Sequence, residues 1–162
     1  MFFKQDDNIN SAIQIINTEF LPIIAKELNA LLSQINQSDS NDVSHLQFFM
    51  MVSQFQKEME NLERLLNIVL FPAILSQLHD HKMSRPFNSF NILRAVHKRQ
   101  KNILKKLREI CDEYIMDESW STDKKQSCYS AFHLEQEFVH YLNYVESTFI
   151  PLLLDIREEA KI

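Results

Sequence analysis

The side chains in this chain that could do chemistry are a few histidines, carboxylates and thiols. His97 stands one turn before Gln100, and both fall on the apolar stripe of a helical pattern. Side chains at i and i+3 share a helix face. Glu135 falls on the inward face of the last pattern in the chain. Polar groups sealed in an apolar core need hydrogen-bond partners. His97, Gln100 and Glu135, with Gln14 or Tyr141 as further members, are therefore expected to gather inside the protein. Such a cluster can host a water, a metal or a small ligand. A neutral buried histidine bonded to Gln100 or Glu135 explains the same residues without a ligand, and that reading is preferred. His133, Glu137 and His140 stand at i, i+4 and i+7, a spacing that can hold a divalent metal. They lie opposite the apolar stripe, so a solvated face is the preferred reading there. The run His79, Asp80, His81 belongs to a loop and could trap metal without biological meaning. Cys111 and Cys128 lie near the ends of adjacent patterns and should sit at the same level. They could form a redox pair or a soft metal site; two small buried hydrophobes is the preferred reading. In a chain that starts "MFFKQDDN", without a signal-peptide core, free thiols are expected over a disulfide. No Ser–His–Asp order, nucleophile elbow or cysteine–histidine pair stands out, so an enzyme is not expected.

Four helical patterns must position these groups. They run over about 8–36, 43–80, 88–117 and 122–160. The first carries Ile13, Ile16, Phe20, Ile24, Leu28, Leu31 and Ile35, with Asp6, Asp7 or Asn8 as N-cap candidates. The second carries Val52, Phe55, Met59, Leu62, Leu66, Val69 and Ala73. The third carries Leu93, His97, Gln100, Leu104, Leu107, Cys111 and Tyr114. The fourth carries Cys128, Ala131, Phe138, Leu142, Val145 and Phe149, with Ser121 or Thr122 as its cap. Short polar breaks, "NQSDSND", "HDHKMSRPFN" and "DESWSTD", join them. The expected fold is all-α, an up-down-up-down four-helix bundle forming a single domain over 1–162. Pro22, Pro72 and Pro151 each fall inside a pattern, where a proline costs about 3 kcal/mol in a plain helix. Thr18, Ser147 and Thr148 stand where a hydroxyl could satisfy the carbonyl freed four residues before Pro22 or Pro151.

Composition narrows the function classes. The 162 residues include no glycine, where average usage would give about eleven. Phosphate-binding loops and tight hairpins depend on glycine, so its absence argues against Walker and Rossmann sites and against a turn-rich β fold. The net charge of −5 offers no nucleic-acid signal. Seven of the seventeen basic residues nevertheless lie between Arg94 and Arg108. They suggest a docking face for an acidic partner, or a solvated helix facing acidic neighbours such as "EMENLE", the preferred reading. No apolar run is long enough to span a membrane, and the chain is read as cytoplasmic.

The stretches "NTEFLPIIAKEL", "QFQKEMENLERLLNIVLFPAI", "PFNSFNILRAVHKRQKNILKKL" and "CYSAFHLEQEFVHYLNYVESTFIPLLLDI" together resemble the hemerythrin-like proteins that repair iron–sulfur centres. That resemblance covers most of the chain. It implies a four-helix bundle with a non-haem di-iron centre held by histidines and carboxylates. Counted back from the prolines, the implied ligand places fall on Leu62, Leu66, Tyr141 and Val145, near Gln14, and on His97. A register shift of one on the last helix would bring Glu146 to a carboxylate place and His140 near a histidine place. Most implied ligands are thus replaced. The expectation is a non-enzymatic binding or regulatory module with no cofactor, its polar remnant formed by His97, Gln100, Glu135 and Tyr141. The alternative is a non-haem iron protein in stress response or iron–sulfur repair, using His97, Glu146 and His140. A protein partner or a homodimer could be met through exposed aromatics such as Trp120 and Phe2/Phe3.

Overall fold

The computed structural model describes residues 2–38, 43–80 and 87–159. They form four long helices, α1 (2–36), α2 (43–80), α3 (Phe87–Ile110) and α4 (122–159), with a short 3-10 turn at Asp112–Tyr114. No strand occurs among the described residues. α1 packs against α2 and α4, and α3 packs against the same two helices. One continuous apolar core runs between all four. Its larger members include Phe55 edge-on to Phe138 at 5.4 Å and Phe71 edge-on to Phe149 at 5.8 Å. Full burial of each such ring contributes about 1.5–3 kcal/mol. Among the described residues no helix is long and apolar enough to cross a membrane.

α1 begins at Phe2, earlier than its pattern suggests, so Asp7 and Asn8 are helical residues and not caps. α4 begins where expected. The Ser121 hydroxyl accepts the Lys124 backbone N–H at 3.2 Å and closes the first turn. Parts of the first two polar breaks, 39–42 and 81–86, lie outside the described residues, as do the side chains of Phe2, Phe3 and His81.

The three internal prolines share one solution. Each is preceded by a π-helical segment: Ile16–Phe20, Leu65–Leu70 and Val145–Phe149. In these segments Leu21, Phe71 and Ile150 donate to the carbonyls of Ile16, Leu66 and Val145, five residues back. A π turn therefore holds one more residue than an α turn. Pro22, Pro72 and Pro151 each become the second residue of the α-helix that resumes. There a missing N–H costs little and the ring has no carbonyl to strike. The nearby hydroxyls do not reach the carbonyls four residues before the prolines. Thr18 donates to Gln14 and Ser147 to Asn143, at 2.8 and 2.6 Å, one turn further back.

The extra residues also shift the apolar stripes. On α2 the pattern holds through Leu66, then moves by one, so Leu70 and Ile74 are buried while Val69 is 46% exposed. On α1 Leu21 takes the inward place expected for Phe20. On α4 Tyr141, not Leu142, is the inward residue, at ordinary α spacing between Phe138 and Val145 and ahead of the π segment.

α3 ends at Ile110, well short of 117. Asp112, Glu113 and Tyr114 follow with φ of 47, 56 and 62°, three left-handed residues without a glycine. L-residues lose roughly 1–2 kcal/mol each in that region. Two anchors hold the turn. Cys111, just before it, is joined to Cys128 of α4 in a disulfide with a Cα–Cα separation of 5.6 Å. This corrects the expectation of free thiols. Tyr114, at its end, donates its hydroxyl to Glu135 of α4 at 2.7 Å.

Candidate functional site

The apolar stripe of α3 carries His97 inward between Leu93 and Leu104, and the stripe of α4 carries Tyr141 inward, ahead of the π segment. His97 Nε2 and the Tyr141 hydroxyl meet at 2.9 Å. Both residues are buried, His97 at 3% exposure and Tyr141 at 0%. Phe138 stands edge-on to the imidazole at 6.4 Å, and Phe20 stands edge-on to the phenol at the same distance. Burial, with a smaller contribution from the Lys101 charge, lowers the His97 pKa to about 4. Burial raises that of the Tyr141 phenol. Near neutral pH both groups are therefore uncharged, and the pair is one hydrogen bond inside an aromatic box.

Gln100 lies one turn on and is fully buried. Its Nε2 donates to Met59 Sδ at 3.2 Å, and its Oε1 has no partner. A thioether is a weak acceptor. One end of this carboxamide is thus poorly satisfied whichever way the amide is turned, at a cost of roughly 1–3 kcal/mol.

Glu135 does not join them. It pairs with Arg108 of α3 and accepts from Tyr114, beside the left-handed turn. The expected cluster is two separate features: a neutral His97–Tyr141 pair, with Gln100 a turn away, and an Arg108–Glu135–Tyr114 brace. Gln14 is exposed and belongs to neither. Arg108 and Tyr114 were missed as partners of Glu135. Their sequence signal was faint: Arg108 sits at the margin of a basic run, and Tyr114 extends an apolar stripe. The Glu135 bond and burial raise the pKa of the Tyr114 phenol, burial contributing most.

The remaining candidates lie on the outside. His140 is 61% exposed in its side chain and approaches Glu137 at 3.7 Å. His133 is half-buried against the rings of Tyr129 and Phe132, at 4.4 and 5.7 Å. Glu146 is exposed, inside the third π segment. The structure brings neither His140 nor Glu146 to His97. Among the described residues no three histidines, cysteines or carboxylates are grouped to hold a metal ion. Of the basic run, Arg99 pairs with Glu58 on α2 at 3.0 Å, so acidic "EMENLE" is one of its neighbours. Trp120 is half-buried under the Lys124 ammonium, which stands 3.9 Å from the ring centre. Comparison of the chain with protein-family models, with curated proteins and with solved structures finds no match.

Proposed function

We propose that this protein is a non-enzymatic binding or regulatory module on a hemerythrin-like, up-down-up-down four-helix scaffold whose iron ligands have largely been replaced by apolar core. The antiparallel arrangement is supported on one side by the links between α3 and α4. His97 meets Tyr141, Arg108 meets Glu135 and Cys111 meets Cys128, so numbers that rise along α3 meet numbers that fall along α4.

The observation that carries the reading is the filling of the implied ligand places. Leu62, Leu66 and Val145 are exposed by 0, 1 and 1% and pack in the continuous core. Iron in a four-helix bundle takes imidazole and carboxylate ligands. These places instead supply one imidazole, one phenol and no carboxylate, and the imidazole and phenol bond to each other. That donor set does not fit a di-iron centre. Untagged protein from iron-supplied medium should contain less than about a tenth of an equivalent of metal per chain. A pair of irons with an oxo-bridge charge-transfer band would overturn the proposal in favour of the iron-protein alternative.

A further inference from the structure

The ends of the four helices meet at the α4 N-terminus around a cleft of about 320 Å³. The cleft shares no residue with the His97–Tyr141 pair, and its chemistry is the same whether or not the scaffold ever carried iron. α4 opens here with an uninterrupted α-helix of 23 residues. The first N–H groups of a helix have no intrahelical acceptor and form the positive end of its dipole. Ser121 takes the Lys124 N–H, leaving those of Thr122 and Asp123.

A second observation points to a ligand. Ser127, one turn into α4, lines the cleft and is only 8% exposed, yet its hydroxyl has no partner among the described residues. A serine within a helix usually returns its proton to the carbonyl four residues back; this one does not. Lys124, whose ammonium stands over the Trp120 ring, and His45, from α2, also border the cleft. Phe48 and Ile110 form an apolar wall. Asp123 also borders the cleft and opposes a negative ligand.

We propose that this cleft binds a small organic oxyanion, a carboxylate or phosphate carried on an apolar body. The charged group lies against the α4 N-terminus, Ser127 and Lys124, and the body lies against Phe48 and Ile110. The shared chemistry is an oxyanion at a helix N-terminus; the wall distinguishes it from a site for inorganic phosphate.

The test is an amide NMR titration of the full chain with phenyl phosphate, benzoate and inorganic phosphate, each to about 10 mM. Saturable shifts are expected at residues 122–127 and at His45. At least one aromatic ligand should bind several-fold tighter than inorganic phosphate, through the buried ring. The stronger of the two identifies the oxyanion as phosphate or carboxylate. Ser127→Val should weaken binding about tenfold, since one of its two methyls stands in place of the hydroxyl and offers the oxyanion no donor. Asp123→Asn should strengthen it. Shifts that do not saturate, that map elsewhere, or that survive Ser127→Val unchanged would overturn the proposal. Equal affinity for inorganic phosphate would also overturn it, by removing the apolar body. If circular dichroism shows Ser127→Val unfolded, Lys124→Gln carries the same expectation and the same refutation.

Discussion

Acidification should destabilise this protein through His97. In the unfolded chain the imidazole titrates near 6.5, while in the folded protein burial holds it at about 4. Between those values the unfolded state takes up the proton and the folded state does not. Stability is therefore complete above about pH 6.5 and falls as pH drops towards 4. From pH 7 to pH 5 the loss from this residue comes to about 2 kcal/mol. His97→Phe removes the titration and also leaves the Tyr141 hydroxyl without its partner. That second effect costs about 1–3 kcal/mol. It acts at both pH values, so it cancels when each protein is compared with itself. The other five histidines cancel between the two proteins. Urea unfolding of wild type and His97→Phe at pH 7 and pH 5 gives the four numbers needed. The wild type should lose about 2 kcal/mol more than the variant across that interval. An identical pH dependence in both proteins would show that His97 is not buried and neutral, and the aromatic box would fall with it.

Reduction of Cys111–Cys128 should lower stability by about 3 kcal/mol, given a sequence separation of 17; urea midpoints with and without dithiothreitol measure it, and coincident curves would refute the bond. A disulfide would be unusual in the cytoplasm, so alkylation trapping of the two thiols in cells tests that placement. Glu113→Gly should raise the melting temperature, because glycine accepts a φ of 56° without the roughly 1 kcal/mol left-handed penalty. A fall would mean that the turn is not left-handed in solution. Glu135→Ala should cost about 1–2 kcal/mol in urea unfolding, chiefly because it strands the Tyr114 hydroxyl; the Arg108 guanidinium is part-exposed and regains water.

Long-range periodicity was legible because burial enforces it. Leu28, Phe55, Leu104 and Phe138 could be assigned to the core from spacing alone, and all four are buried. The errors cluster where one residue is inserted or the backbone changes hand. Val69 reads as inward if every step is 3.6 residues per turn, but a π turn rotates it out. Nothing in "LLNIVLFP" announces that turn except the proline itself. The end of α3 was hidden because Tyr114 extends the stripe, and no glycine marks the left-handed residues before it. Glu135 reads correctly as inward; its partner could not be found, because Arg108 resembles every other cation of the basic run. The empty hydroxyl of Ser127 is invisible in sequence. It depends on four chain segments, far apart in number, ending around one cleft.

Each π segment and the proline behind it are structurally linked. The added residue alone would leave an unexplained bulge, and the proline alone would strike the turn before it at a cost of about 3 kcal/mol. Together they leave both flanks of the helix in phase. Length and composition are thus coupled at these three places and nowhere else among the described helices. Deleting Ile68, which is 70% exposed, should destabilise the protein, and adding Pro72→Ala to that deletion should restore it. A lineage that lost one member of such a pair would be expected to lose the other.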